Sequence, residues 1–205
     1  LADAIEVCVW YDEDCDNVYE PTGTGQQNEL EVALVSDTSG SITTSELAQL
    51  KTAGKDFVDN LSIPDEAAAI SFASSASLDQ ELTTNYQAVK DAIDTYNDSG
   101  STNMSAGIST AETELLTGTN ATAGASKVII LLSDGSPNSD SAATAAANSA
   151  KGQGIRVFTI ALGSGADEAF LESIATSPDD AFVAPDGADL DTVYAEIAQV
   201  VLAGE

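Results

Sequence analysis

Residues 127–133 read Lys-Val-Ile-Ile-Leu-Leu-Ser, a nearly unbroken apolar run too short for a buried helix. A run of this length, rich in β-branched residues and without polar alternation, suits a strand covered on both faces. Two further runs have the same character, Leu-Glu-Val-Ala-Leu-Val-Ser at 30–36 and Ile-Arg-Val-Phe-Thr-Ile-Ala-Leu at 155–162. Such strands need a layer of helices on each side, and the intervening sequence supplies helical patterns.

Residues 43–61 place apolar side chains at 47, 50, 57, 58 and 61, and Thr43 with Glu46 forms a capping-box pattern at the start. Tyr86, Val89, Ile93 and Tyr96 share one face of a second helix. Met104, Ile108, Ala111 and Leu115 share one face of a third. Residues 140–151 and 167–175 read as helices, and Leu190, Val193, Tyr194, Ile197 and Val201 as the stripe of the last. Shorter strands are expected at 67–73, 77–82 and 181–184. The alternation predicts an α/β fold: three-layer, doubly wound, with a mainly parallel central sheet and helices on both faces, as in Rossmann-like proteins.

Residues 1–29 stand apart and are read as an N-terminal acidic segment with a linker, with residues 30–205 as the folded domain. The segment holds both cysteines, Cys8 and Cys15, and the only tryptophan, Trp10. Two cysteines in a short acidic stretch suggest a local disulfide, which would place the chain outside the cytosol; two reduced thiols are the alternative. Asp12, Asp14 and Asp16 begin like a calcium-binding loop. Asn17 stands where that loop turns on Gly, however, and Gly23 where its last carboxylate belongs. They form a possible second cation site, with a solvated acidic loop as the competing reading. The chain begins at Leu1, carries no signal-peptide core, and has no apolar run long enough to span a membrane. It therefore reads as a mature, processed or excised piece, with no direct membrane insertion expected in this segment. Sequons occur at Asn60, Asn97, Asn103 and Asn120, the last expected to be the most exposed.

Charge restricts the function. Thirty-four acidic and six basic residues among 205 give a net −28, and there is no histidine. Histidine-based catalytic triads and His-ligated metals are excluded, and nucleic acid is disfavoured as a partner by charge. An apolar content of 43% provides for a core, so the charge does not signal disorder. Two environments would tolerate it. One is a salt-rich medium that screens self-repulsion, as in halophiles, a reading supported by scarce Lys and by 20 Asp against 14 Glu. The other is an extracellular setting in which divalent cations neutralise the acids.

In open α/β sheets ligands bind beyond the carboxyl ends of the strands. There the first strand runs into Asp37-Thr38-Ser39-Gly40-Ser41, and the strand at 127–133 runs into Asp134-Gly135-Ser136-Pro137-Asn138. Between them, before the third helix, lies Gly100-Ser101-Thr102-Asn103. Two carboxylates and several hydroxyls form an all-oxygen donor set, which suits Mg²⁺, Ca²⁺ or Mn²⁺ rather than zinc or copper. No glycine-rich nucleotide motif is present, and no general base other than these carboxylates is evident near Ser39 or Ser41, so an enzyme is not expected.

The Asp-x-Ser-Gly-Ser loop, the Gly-Ser-Thr-Asn loop and the Ser-Asp-Gly strand end together resemble the von Willebrand factor A-domain family over residues 30–203. The resemblance implies a metal-ion-dependent adhesion site with Asp37, Ser39, Ser41, Thr102 and Asp134 as ligands. Ser101 departs from the Gly that many members carry. The resemblance further implies an extracellular or cell-surface adhesion module, in which the acidic group of a protein or surface-polymer partner completes the coordination of Mg²⁺ (or Ca²⁺ or Mn²⁺). The alternative is a structural subunit of a filament, pilus, sheath or virion, with other copies of the chain as partners.

Overall fold

The structure, a computed structural model, describes residues 29–202. The N-terminal segment with Cys8, Cys15, Asp12, Asp14 and Asp16 lies outside the described residues, so neither the disulfide nor the second cation site is addressed by it.

Six strands form one sheet: β1 (Leu30–Asp37), β2 (Glu66–Phe72), β3 (Ala76–Thr83), β4 (Ser126–Ser133), β5 (Arg156–Leu162) and β6 (Ala181–Ala184). Their spatial order is β3-β2-β1-β4-β5-β6. All neighbours pair in parallel except the edge strand β3, which runs antiparallel to β2. Six helices connect them: α1 (Thr44–Val58), α2 (Tyr86–Asp94), α3 (Met104–Thr117), α4 (Asp140–Gly152), α5 (Glu168–Ile174) and α6 (Leu190–Leu202).

Strand alternation builds two cores from one sheet. Leu30, Val32 and Leu34 of β1 face a cluster completed by α1, α2 and α6, including Leu50, Phe57, Ile93, Tyr194 and Ile197. Ala33 and Val35 face the opposite cluster, completed by Met104, Ile108 and Leu115 of α3, by the alanines of α4 and by Leu171 and Ile174 of α5. The apolar runs of the central strands are continuous because both of their faces are covered. The expected three-layer architecture is the observed one.

The boundaries show local physics. Thr43 and Glu46 close the capping box, the Thr43 hydroxyl accepting from the Glu46 amide at 3.3 Å and the Glu46 carboxylate from the Thr43 amide at 2.9 Å. α1 ends at Val58 rather than at 61, because the Asn60 and Leu61 amides bond three residues back, to Phe57 and Val58, and tighten the last turn.

Two acids with basic partners, Glu31 and Asp180, are internal. Glu31 is fully buried in β1, where it accepts the amide of Thr122 and pairs with Lys127 of the neighbouring strand. Asp180 is 1% exposed. It accepts from Arg156 Nε at 3.1 Å and Nη2 at 2.6 Å, and from the Ser177 hydroxyl at 2.9 Å. Asp186 stays at the surface and caps the Ala188 amide at 2.7 Å. Asn120 is exposed, yet its side-chain amide donates to the Leu82 carbonyl, so the nitrogen a glycan would use is engaged. No helix of the described residues is long and apolar enough to cross a membrane.

Candidate metal centre

β1 and β4 are adjacent, but the chain leaves them toward opposite faces, into α1 on one side and α4 on the other. A crevice at the carboxyl ends of such a strand pair follows from the winding alone. The last residue of β1, Asp37, and the residue just past β4, Asp134, stand at this crevice.

Asp37 is fully buried. One carboxylate oxygen accepts the Ser39 amide at 2.8 Å, which tightens the turn after the strand, and the other accepts the Ser133 hydroxyl at 2.6 Å. The Ser39 and Ser41 hydroxyls lie 3.0 Å apart, and Ser41 donates to Asp134 at 2.8 Å. An unbroken chain of oxygen groups thus links Ser39, Ser41 and Asp134 across two loops, with Asp37 beside it on the backbone of Ser39.

The electrostatics are those of two carboxylates held where charge is costly. Burial raises the pKa of Asp37 above its ordinary value, and the nearby Asp134 adds to the rise, while bonds from Ser133 and Ser39 oppose it. Burial also raises Asp134, with Glu46 contributing and the Ser41 hydroxyl opposing. A cation between them would relieve both strains at once. The donor set is wholly oxygen and carries two formal negative charges, which fits a hard divalent ion.

The second loop reaches the same crevice. Gly40 donates its amide to the Gly100 carbonyl at 3.0 Å, and Ser99 to the Thr38 carbonyl at 2.9 Å. Gly100 has φ +83°, and a Cβ there would lie 2.6 Å from the Ser74 hydroxyl, so only glycine admits this close approach. Asn103 caps α3 through the Ala106 amide and also donates to the Ser74 carbonyl at 3.2 Å. Thr102 is half-buried, and among the described residues its hydroxyl enters no hydrogen bond.

Two contributors escape a reading of sequence alone. Ser133 appears there as the polar end of a strand, but the pleat turns its hydroxyl onto Asp37. Asn138, read only as a loop residue, bonds to both backbone groups of Thr102. Ser133 had a faint signal, being the only hydroxyl in the strand 127–133; Asn138 had none.

Residues 31–196 match the family model of the von Willebrand factor type A domain. A UPF0353 protein of Mycolicibacterium paratuberculosis is 34% identical over 151 residues, which make up 66% of this chain and 45% of that protein. Among solved structures, proximal thread matrix protein 1 from the mussel byssus superposes with a TM-score of 0.76 at 20% identity, over 85% of this chain and 48% of that one. The vWF domain of the type V pili tip protein Mfa5 from Porphyromonas gingivalis gives 0.79 at 16% identity, over 86% and 96%. The chain therefore spans less than half the length of the curated relative and of the byssus protein.

Proposed function

This chain belongs to the von Willebrand factor type A domain family, and on that premise we propose that it is a divalent-cation-dependent binding module rather than an enzyme. Asp37, Ser39, Ser41, Thr102 and Asp134 would hold Mg²⁺, or Ca²⁺ or Mn²⁺, in a metal-ion-dependent adhesion site. The metal, when bound, offers a Lewis-acidic position to a partner's carboxylate. The protein's own part is to hold its oxygen donors together and to leave the ion unsaturated, since two carboxylates offset its charge without filling its sphere. The observation that carries the reading is the run of hydroxyls and carboxylates from Ser39 through Ser41 to Asp134, beside buried Asp37, at the crevice between β1 and β4. The byssus protein, which has a form with a zinc-occupied site of this kind, lends support.

The partner would be a protein or surface polymer presenting an acidic group, outside the cell or at its surface. The folded module would be residues 30–205, with 1–29 as a separate segment in which Cys8 and Cys15 pair and Asp12, Asp14 and Asp16 offer a further cation site. The medium would be rich in salt, as for a halophile. A structural role in a surface filament is the second reading, favoured by the pilus tip protein among the similar structures.

Calorimetry with Mg²⁺ tests the metal site. Asp37→Ala and Asp134→Ala are expected to abolish the binding heat while circular dichroism shows an intact fold. Undiminished Mg²⁺ affinity in both variants would refute the site.

A further inference from the structure

The second loop carries one proposed ligand, Thr102, and that loop belongs to no strand. A threonine on a loop is a poor ligand unless something fixes its peptide, because ordering it on binding costs backbone entropy. Three hydrogen bonds from one residue address this. Asn138, in the loop after β4, accepts the Thr102 amide on its side-chain oxygen at 3.1 Å. It donates its own amide to the Thr102 carbonyl at 2.8 Å. Its side-chain nitrogen donates to the Ser101 hydroxyl at 3.1 Å. Ser101 continues the link. Its hydroxyl lies 3.2 Å from that of Ser74, in the turn between β2 and β3, and its amide donates to the same Ser74 oxygen at 3.1 Å. The Asn103 amide reaches the Ala73 carbonyl of that turn at 2.7 Å.

We propose that Asn138 is a positioning residue for the metal centre: with Ser101 it fixes the Thr102 peptide between the β4 loop and the β2–β3 turn, so that the hydroxyl stands ready for the ion before the ion arrives. The inference rests on the metal reading above. It assigns Asn138 no contact with the metal. The residue acts through Thr102, in the way that outer partners orient ligands in metal sites generally. Asn138, Ser101 and Ser74 are exposed, so their bonds add little to global stability, and their effect falls on the site.

The test is a double-mutant cycle read by Mg²⁺ calorimetry. Asn138→Ala is expected to weaken Mg²⁺ binding about tenfold with an unchanged melting temperature and faster amide exchange at Thr102. Thr102→Ala keeps the peptide that Asn138 grips but lacks the hydroxyl. In that background Asn138→Ala is expected to have no further effect. Wild-type Mg²⁺ affinity in Asn138→Ala, beside a loss in Thr102→Ala, would overturn the proposal, as would a full Asn138 effect persisting without the Thr102 hydroxyl. If Asn138→Ala does not fold, Ser101→Ala, which removes the hydroxyl that bonds Asn138 and Ser74 and keeps the amide bond to Ser74, is judged by the same two outcomes. Asp37→Ala and Asp134→Ala separate the levels: if both bind Mg²⁺ like the wild type, the metal reading itself fails, whereas loss there with no Asn138 effect defeats only the positioning role.

Discussion

Asp37 carries the sharpest conflict in the domain. Its carboxylate is fully buried, with no cationic side chain among its hydrogen-bond partners. Its pKa is raised from the ordinary 3.8, chiefly by burial. The folded chain therefore holds the proton more tightly than the unfolded chain does. Without metal, its effect on stability becomes less favourable as pH rises from 3.8 through the raised value. Asp37→Asn removes the charge and keeps the shape. The amide oxygen can still accept from Ser39, and the amide nitrogen can donate to Ser133, whose hydroxyl has the Gly135 carbonyl 3.2 Å away as an alternative acceptor. In metal-free buffer at neutral pH the variant is expected to melt about 2–4 °C higher than the wild type, and to lose the further rise that Mg²⁺ gives the wild type. Scanning calorimetry with and without Mg²⁺ checks both halves; a lower metal-free melting temperature would show that the charge is already compensated. At this scale the sequence was informative where the proposed ligands sit side by side, as in Asp37, Ser39 and Ser41. It was silent where a role depends on two loops crossing, as with Asn138 and Thr102, 36 positions apart.

Elements were legible because their signals are periodic. The apolar stripes of α1, α3 and α6 and the runs of β1, β4 and β5 are consequences of covering one sheet on both faces, and they sit where the pattern put them. What periodicity misses is an interaction between neighbours in space. Glu31 interrupts an apolar strand, yet it is tolerated inside because Lys127 is its register partner on β4; removing either partner would leave a buried charge uncompensated. Gly107 is the analogous case for helix packing. It lies in α3 against the sheet, and a Cβ there would meet Phe72 at 2.8 Å and Val35 at 3.0 Å. Both neighbours are core residues at 1% exposure, with little room to give. Gly107→Ala gains helix propensity but overpacks this seam, so a net destabilisation of about 1–3 kcal/mol is expected, measured by urea unfolding. A stabilised variant would mean that the helix can lift away from the sheet without cost. Because α3 starts two residues after Thr102, the same variant is expected to weaken Mg²⁺ binding as well.

At the scale of the whole molecule the question is how a chain of net charge −28 stays folded. Its six bases do not answer it by general neutralisation, since each is committed locally. Lys55 pairs with Asp94 and Lys90 with Asp59, each at 2.6 Å, while Lys127 and Arg156 hold the internal acids Glu31 and Asp180. Lys51 and Lys151 donate to the carbonyls of Asp94 and Ala175 at 3.0 Å. The loops at the proposed metal site, residues 37–46, 95–107 and 133–143, contain no Lys or Arg. The surface is thus left to self-repulsion, which only the medium can reduce. The Debye length falls from about 10 Å at 0.1 M salt to about 3 Å at 1 M. Stability is therefore expected to climb steeply with KCl, with far-UV circular dichroism showing loss of helix on desalting and recovery on return to molar salt. Millimolar Mg²⁺ at low ionic strength is expected to leave the desalted chain unfolded, because one occupied site cancels two charges out of 28. Recovery of the fold by Mg²⁺ alone would instead point to many weak cation sites over the surface, and to an environment where divalent ions, not salt, do the neutralising. The proposed metal centre is expected to respond in the opposite sense within the folded range. Screening removes the long-range attraction that gathers cations at the crevice, but it barely touches a bond of ångström length. Mg²⁺ affinity is therefore expected to decline between 1 and 3 M KCl by less than about tenfold, and a collapse beyond that would mean that the surface field, rather than the five proposed oxygen ligands, holds the ion.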